Sequence, residues 1–237
     1  VSGKLPYLYR ALAPITYEHH SALNIKSDRN FGFAEAANAI PILADEFVQV
    51  ARQYPIVIAD VGNPVPVALV GLEKGKNDHI NADGTWRADH YVPAYLRRYP
   101  FMLLKETATS ERMILCADLT STQFSNTPKA ARPLFESKAG GEVVSGMLDF
   151  CQRYEKGLAR TRAMMLKLAK LDLIQGSTVG ISRGGKTARV EGFATIAEDK
   201  LRALDDATLA DLTRRGITAL IAAHHHSMAN FSDFGNL

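Results

Sequence analysis

The sequence predicts an α+β protein, with strands concentrated in the first half of the chain and helices in the second. Short apolar runs bounded by turn residues recur between residues 56 and 117, which is typical of strands. A long stretch with helical periodicity follows at 145–173, and two shorter helical stretches end the chain. We expect a mixed or antiparallel sheet in the N-terminal half and a mainly helical C-terminal half that carries one β-hairpin.

The first 53 residues combine an extended segment with a short helix. Residues 1–30 have mixed polarity and no sustained period, so we expect an extended arm with one or two short strands. Apolar residues at helical spacing then predict a helix at 45–53, which Pro55 ends.

Residues 54–101 contain the only Trp of the chain and a dense set of bulky and turn-forming residues. Strands are predicted at 56–60 and 65–72, and the Asp83-Gly84 pair is a strong hairpin signal. The remaining elements predicted before residue 120 are a short helix at 94–98 and strands at 101–105 and 112–117.

The second half begins after residues 121–141, a segment rich in Ser, Thr, Pro, Lys and Gly that predicts a long loop. The helix predicted at 145–173 has one apolar face, with Thr161 in a gap between apolar residues. The apolar residues of that face are Met147, Cys151, Tyr154, Leu158, Met165 and Leu168. The elements expected after it are a hairpin at 177–196 and helices at 206–214 and 217–228.

Two regions are therefore expected. Residues 1–120 form an α+β region that contains the signature from Trp86 to Phe101, and residues 142–237 form the helical region with its hairpin. We expect the loop 121–141 to join them into one compact unit.

Composition restricts the function classes. The chain has 28 basic and 25 acidic residues, with no arginine-rich tail or lysine block, so nucleic-acid binding is not expected. Cys116 and Cys151 lie far apart in apolar sequence, which argues against a disulfide framework and for a reduced compartment. No apolar run approaches the about 20 residues of a membrane span, and no signal peptide is visible. We expect a soluble protein, cytoplasmic or associated with the cell envelope.

Residues 180–187 match the phosphate-binding pattern G-x-x-x-x-G-K-T letter for letter. In a true loop of this kind a helix starts at the Lys-Thr pair, because its N-terminus forms part of the anion site. Here residues 188–195 alternate like a strand instead. We interpret the match as a hairpin turn at Gly184-Gly185 and assign no nucleotide cofactor; loss of the hairpin would revive ATP binding.

The run from His224 to His226 suggests a metal site, but adjacent helical residues point about 100° apart and do not converge on one ion. Zinc-binding helices place ligands at i and i+4, where His224 has Met228. We expect one buried, hydrogen-bonded His with exposed neighbours, and assign no metal.

The run from Arg97 to Phe101 offers two guanidinium groups beside aromatic anchors. Arginine presents a bidentate fork to carboxylates, so this run suits an anionic ligand or a carboxylate on a partner. The alternative is an internal pairing, for example with Glu46 or Asp83, with Tyr99 and Phe101 in the core. No nucleophile elbow and no reactive Cys is apparent, so the sequence contains no recognisable catalytic motif.

Residues spread along the chain carry a family resemblance. In the first half they are Phe33, Asn38, Pro41, Glu46-Phe47, Tyr54–Val57, Asp83-Gly84, Trp86, Tyr91–Ala94 and Arg97–Phe101. In the second half they are Arg160–Arg162, Leu171–Leu173, Gly192-Phe193, Gly216, His224, Ser227 and Asn230. With these residues the chain resembles the SapC family of bacterial proteins, whose founding association is with a surface layer. A peptide-transporter permease shares only the name. The resemblance implies an accessory role and no catalytic residues.

Two function hypotheses remain. The first is a SapC-like accessory or interaction protein that binds a protein partner or itself, with binding residues Trp86, Arg97, Arg98 and Tyr99, since aromatic and Arg groups dominate interface energetics. The second is an enzyme, or an enzyme subunit, acting on a peptide or aromatic metabolite. Its candidate catalytic residues are His224, Arg98 and Glu46. The absence of a motif favours the non-enzymatic hypothesis.

Overall fold

A computed structural model describes residues 5–107, 109–127, 131–183 and 186–235. The strands are β1 (Leu12–Pro14), β2 (Asn24–Lys26), β3 (Ala39–Pro41), β4 (Ile56–Ile58), β5 (Pro66–Leu69), β6 (Phe101–Lys105), β7 (Met113–Asp118), β8 (Phe124–Ser125), β9 (Ala131–Pro133), β10 (Ile174–Arg183) and β11 (Lys186–Ile196). The α-helices are α1 (Tyr17–His20), α2 (Phe47–Val50), α3 (Ala94–Arg98), α4 (Glu142–Lys170), α5 (Glu198–Arg202), α6 (Asp206–Arg214) and α7 (Ile217–Ser227). Single 3-10 turns cover Gly32–Ala34 and Ala44–Glu46, and a longer 3-10 segment covers Met228–Gly235. The α+β prediction is confirmed.

The chain divides into two compact units that interleave along the sequence. The first comprises Val1–Ala34, Ile80–Trp86 and Leu96–Lys156. The second comprises Glu35–His79, Arg87–Tyr95 and Gly157–Leu237. The expected organisation into residues 1–120 and 142–237 stays a prediction.

The first unit is built on two three-stranded antiparallel sheets. One has the strand order β1-β7-β6 and the other the order β8-β2-β9. Its core joins strand residues to the start of α4, since Phe101, Leu103, Leu115 and Ala117 cluster with Val143 and Cys151. The strand pair predicted at 101–105 and 112–117 forms β6 and β7.

The second unit contains a five-stranded sheet with the order β10-β11-β4-β5-β3, and all its pairings are antiparallel. Strands β4 and β5 are buried along their whole length, which explains why they read as continuous apolar runs rather than alternating ones. One apolar cluster joins this sheet to Phe231 and Phe234 of the last 3-10 segment. The C-terminal hairpin therefore extends a sheet that begins in the first third of the sequence.

The β10–β11 hairpin also bears on the phosphate-loop pattern at residues 180–187. Lys186 and Thr187 are the first residues of β11, and Thr187 pairs with Ser182 of β10. A helix N-terminus, which a phosphate loop requires at this point, is therefore not formed. The turn predicted at Gly184-Gly185 lies outside the described residues.

Helix α4 spans Glu142–Lys170, three residues earlier at each end than predicted. Its buried face includes Cys151, Tyr154, Thr161, Met165 and Leu168, as expected. Leu158, however, is 37% exposed, and Gly157 takes the buried position instead. A Cβ at Gly157 would lie 2.8 Å from the Leu43 side chain, so the close approach there favours glycine. Within the described residues, no helix is long and apolar enough to cross a membrane.

Candidate anion-binding site

A cavity of about 270 Å³ in the first unit brings together four basic residues and one acidic residue from five separate segments. Lys26 ends β2, Arg29 follows it in a loop, and Arg97 lies in the last turn of α3. Arg132 comes from β9 and Glu142 is the first residue of α4. We call these five residues with Tyr99 and Phe101 the arginine cavity.

The arginine cavity has an excess of positive charge. Glu142 is its acidic residue, and it lies 4.0 Å from Arg132 with both side chains exposed, so this ion pair contributes little. The side chains of Lys26 and Arg29 make no ion pair or hydrogen bond with any residue that the structure describes. Although Arg29 is exposed overall, partial desolvation lowers the pKa of its guanidinium, and repulsion by Arg97 and Arg132 lowers it further. An anion placed among these groups would relieve that repulsion.

The backbone adds to the same potential. Val143, Gly146 and Met147, all in the first turns of the 29-residue helix α4, also line the cavity. The N-terminal end of a long helix carries partial positive charge, which favours an anion near it. Glu142 offsets part of this effect by its position in the first turn.

One wall of the cavity is aromatic. Tyr99 is buried and stacks on Phe33 with ring centroids 3.8 Å apart, and the Tyr9 ring lies 5.3 Å from it. Phe101 is fully buried at the start of β6. The sequence placed these two aromatic residues next to the arginines, and the structure places both at the cavity.

Arg97 and Arg98 have different surroundings. Arg97 is half-buried, lines the cavity and lies 5.5 Å from the Phe150 ring centroid. Arg98 is buried, with its guanidinium 4.2 Å over the Tyr154 ring and 3.5 Å from the Glu155 carboxylate. Burial raises the pKa of Glu155, and the Arg98 charge opposes that shift. The internal ion pair considered as the alternative for this run is thus made by Arg98 with Glu155, a residue that the sequence did not single out; Glu46 and Asp83 were the partners suggested there.

Trp86 anchors the predicted Asp-Gly turn. It is buried, pairs with Ile80 across the turn and packs edge-on against Phe31 at 5.7 Å. Gly84 has φ +81°, and a Cβ there would lie 2.1 Å from the Asn30 amide, so only glycine fits. The sequence signal thus marks a tightly specified turn within the first unit.

Glu46 lies in the second unit, where its buried carboxylate has a structural role. Oε2 accepts a hydrogen bond from the Leu43 N–H at 2.8 Å. Oε1 accepts from the Ala94 N–H at 2.7 Å and from the Tyr91 hydroxyl at 2.9 Å. Glu46 therefore fixes the 3-10 turn at Ala44–Glu46 and the start of α3 by satisfying buried donors.

His224 also lies in the second unit and is 1% exposed. Its Nε2 accepts a hydrogen bond from the Ile196 N–H at 3.1 Å, while Nε2 of His225 donates to the Ile196 carbonyl at 2.8 Å. Burial lowers the pKa of His224 to about 4, and the neighbouring His225 adds to that shift. The two adjacent histidines hold both polar groups of one peptide at the end of β11. His224 is neutral at pH 7, and its Nε2 lone pair is already used.

The histidines of the second unit do not form a recognisable metal centre with other described residues. Among the residues that the structure describes, no three His, Cys, Asp or Glu side chains lie together in an arrangement that suits a metal ion. His226 is exposed on α7.

Sequence reasoning missed four members of the arginine cavity, which are Lys26, Arg29, Arg132 and Glu142. They lie in the extended arm, in the segment read as a loop and at the start of the long helix. More than 100 residues separate Arg29 from Arg132. A single sequence contains no local pattern that reports such contacts.

Fold and cavity together define an α+β protein with a cavity lined mainly by basic residues. The match to a family model then identifies the chain as a member of the SapC family, with residues 15–234 matched. No curated protein and no solved structure matches the chain.

Proposed function

We propose that this SapC protein is a non-catalytic accessory component associated with the cell envelope, and that it holds a carboxylate-bearing segment of a protein partner in the arginine cavity. The observation that supports this is the convergence of Lys26, Arg29, Arg97 and Arg132 on one concave site with a single opposing carboxylate among its described lining residues. Arginine binds carboxylates through two parallel hydrogen bonds, which gives both energy and orientation.

A protein segment fits the cavity better than a polyanion. The cavity volume of about 270 Å³ suits one or two side chains. Tyr99, Phe101 and Met147 supply an apolar wall for the residue next to the carboxylate. Nucleic acid, by contrast, needs an extended basic track along its backbone, and the whole chain carries a net charge of only +3. The partner is therefore another chain with an exposed acidic segment, or a second copy of this one.

The enzyme hypothesis gains no specific support. It needs His224 as a general base or metal ligand and Arg98 as an anchor. The Nε2 atom of His224 accepts from a backbone N–H, and Arg98 is packed on Tyr154 and paired with Glu155. These contacts suit structural roles, so we retain the accessory function as the conclusion.

Native mass spectrometry of the protein, isolated gently from the cells that make it, tests this function. We expect a stoichiometric assembly for the wild type and loss of that assembly when Arg29→Gln and Arg132→Gln are combined. Both side chains are exposed, so the double variant should fold. Arg112→Gln is the matched control, because the Arg112 side chain is 75% exposed just before β7 of the same unit and lies outside the cavity lining. A monomeric wild type, or an assembly that the double variant retains, would contradict the proposal.

A further inference from the structure

A second cavity, of about 330 Å³, lies within the second unit. Arg52, His79, Arg87, His90, Asp233 and Phe234 line it together with two amides, Gln53 and Asn230. It shares no residue with the arginine cavity, and neither function hypothesis used it. We call it the histidine cavity.

Hydrogen bonds between residues of the second unit hold the lining of the histidine cavity in place. The Gln53 amide donates to the Asp89 carbonyl at 2.6 Å and accepts from the Tyr91 N–H at 2.7 Å, which fixes the loop that carries His90. The Arg87 N–H donates to the His79 carbonyl at 2.8 Å, so these two lining residues are held together. Such an internally fixed wall is typical of a preformed site.

The two imidazoles form an aromatic wall. His79 is buried, with its ring 4.8 Å edge-on to Tyr54 and 5.2 Å from the His90 ring. Burial lowers the pKa of His79 to about 4, with smaller contributions from His90 and Arg87, and nearby Asp78 opposes the shift. His79 is therefore uncharged at neutral pH. Its ring and the buried Phe234 provide apolar contact surface.

Charges of both signs complete the site. The guanidinium groups of Arg52 and Arg87 make no ion pair or hydrogen bond with any described residue, and the same holds for the Asp233 carboxylate. The Asn230 Nδ2 donates to the Ala51 carbonyl at 2.8 Å, which leaves the Asn230 Oδ1 as an acceptor. The cavity thus offers cations, an anion with a neutral acceptor, and an aromatic wall.

From this combination we propose that the histidine cavity binds an α-amino acid with an apolar side chain. The ligand's carboxylate pairs with Arg52 and Arg87, and its ammonium group is taken by Asp233 and the Asn230 oxygen. The apolar side chain packs on Phe234 and the imidazole wall. A simple anion leaves Asp233 and the aromatic surface unused, whereas a zwitterion with an apolar group uses every part of the lining.

Isothermal titration calorimetry with L-phenylalanine, L-leucine and L-methionine tests the proposal. We expect at least one of the three to bind with a dissociation constant in the millimolar range or tighter. Two analogues of L-phenylalanine each lack one charged group: phenethylamine lacks the carboxylate and 3-phenylpropionate lacks the ammonium group. Each should bind at least about tenfold more weakly than L-phenylalanine. If none of the three amino acids gives heat of binding at a concentration of about 5 mM, which exceeds a millimolar dissociation constant, the proposal is overturned.

Variants locate the site. Arg87→Gln and Asp233→Asn should each weaken binding about tenfold, since each removes a charged hydrogen-bond partner. Arg214→Gln is the control, because Arg214 is also exposed in the second unit but lies at the end of α6, outside the cavity lining. Amino-acid binding that is unchanged by both cavity substitutions would overturn the proposal. So would displacement of the bound amino acid by inorganic phosphate as effective as its displacement by 3-phenylpropionate, because the cavity would then bind any anion.

Discussion

The protonation of His224 gives the sharpest prediction about stability. Its pKa falls from 6.5 to about 4 on folding, because the ring is buried and lies beside His225. An interaction with the Ile56 backbone opposes the shift only partly. A group with a lowered folded pKa binds fewer protons in the folded than in the unfolded state between these two values. The stability that neutral His224 provides is therefore complete above pH 6.5 and is lost as the pH falls toward 4.

The magnitude follows from the shift. Each unit of pKa difference corresponds to about 1.4 kcal/mol. Between pH 7.5 and 4.5 the His224 contribution to the free energy of unfolding should therefore fall by about 2.5 kcal/mol. His79, with a folded pKa also near 4, contributes a loss of the same sign. The acid destabilisation of the wild type therefore combines the contributions of His224, His79 and any titrating carboxylates. A variant is needed to isolate the contribution of His224.

His224→Gln makes the separation. The Gln side chain does not titrate, and its Oε1 reaches the place of Nε2 to accept from the Ile196 N–H. Urea unfolding followed by circular dichroism at pH 7.5 and pH 4.5 should show a pH-dependent loss that is smaller in this variant by about 2.5 kcal/mol. His226→Gln, an exposed position on the same helix, should keep the wild-type loss. Equal pH dependence in His224→Gln and wild type would refute the reasoning.

Three further predictions concern buried polar groups and thiols. Ser227→Ala removes the Oγ that accepts from the Ile56 N–H at 2.9 Å, so it should lower the free energy of unfolding by about 1–3 kcal/mol. The control Ser232→Ala, at an exposed position, should change it by less than about 0.5 kcal/mol. Equal effects of the two substitutions in urea unfolding would contradict this. Glu46→Gln turns an amide N–H toward buried donors and should cost about 1–3 kcal/mol in the same assay, so a neutral effect would disprove the assigned role. Burial raises the pKa of the Cys151 thiol to about 12, so iodoacetamide at pH 8 should modify it only after urea is added; rapid labelling of the folded protein, read by mass spectrometry, would show the thiol to be accessible.

Secondary structure was predictable where a continuous apolar run or a single periodicity is bounded by clear turn or cap residues. The buried strands β4 and β5, the hairpin β10–β11 and the helices α6 and α7 were all expected within a few residues, because turn residues or caps bound each one. Leu158 shows where this reasoning fails. Its hydrophobicity predicted that Leu158 lies on the buried face. In the structure Gly157 occupies that face instead, because the Leu43 side chain approaches the helix too closely for a Cβ there. A residue without a side chain leaves no apolar signal.

The candidate site was predictable only at its centre. The Arg97 to Phe101 run was recognised because cations and aromatics are adjacent in sequence, and three of these five residues line the arginine cavity. Arg29 and Arg132 look like ordinary surface charges, since what makes them part of a site is the pairing of β2 with β9. The histidine cavity has the same origin: His79 and His90 are 11 residues apart in a turn-rich segment that shows no ligand spacing.

Photo-cross-linking from the mouth of the arginine cavity would detect the proposed partner directly. A photoreactive amino acid would replace Ser27, an exposed lining residue, in the cells that make the protein. We expect a cross-link to an acidic segment of one protein, or of a second copy of this chain, that disappears when Arg29→Gln and Arg132→Gln are added. A folded protein that gives no cross-link, or one whose cross-link is unchanged by the loss of both charges, would contradict it.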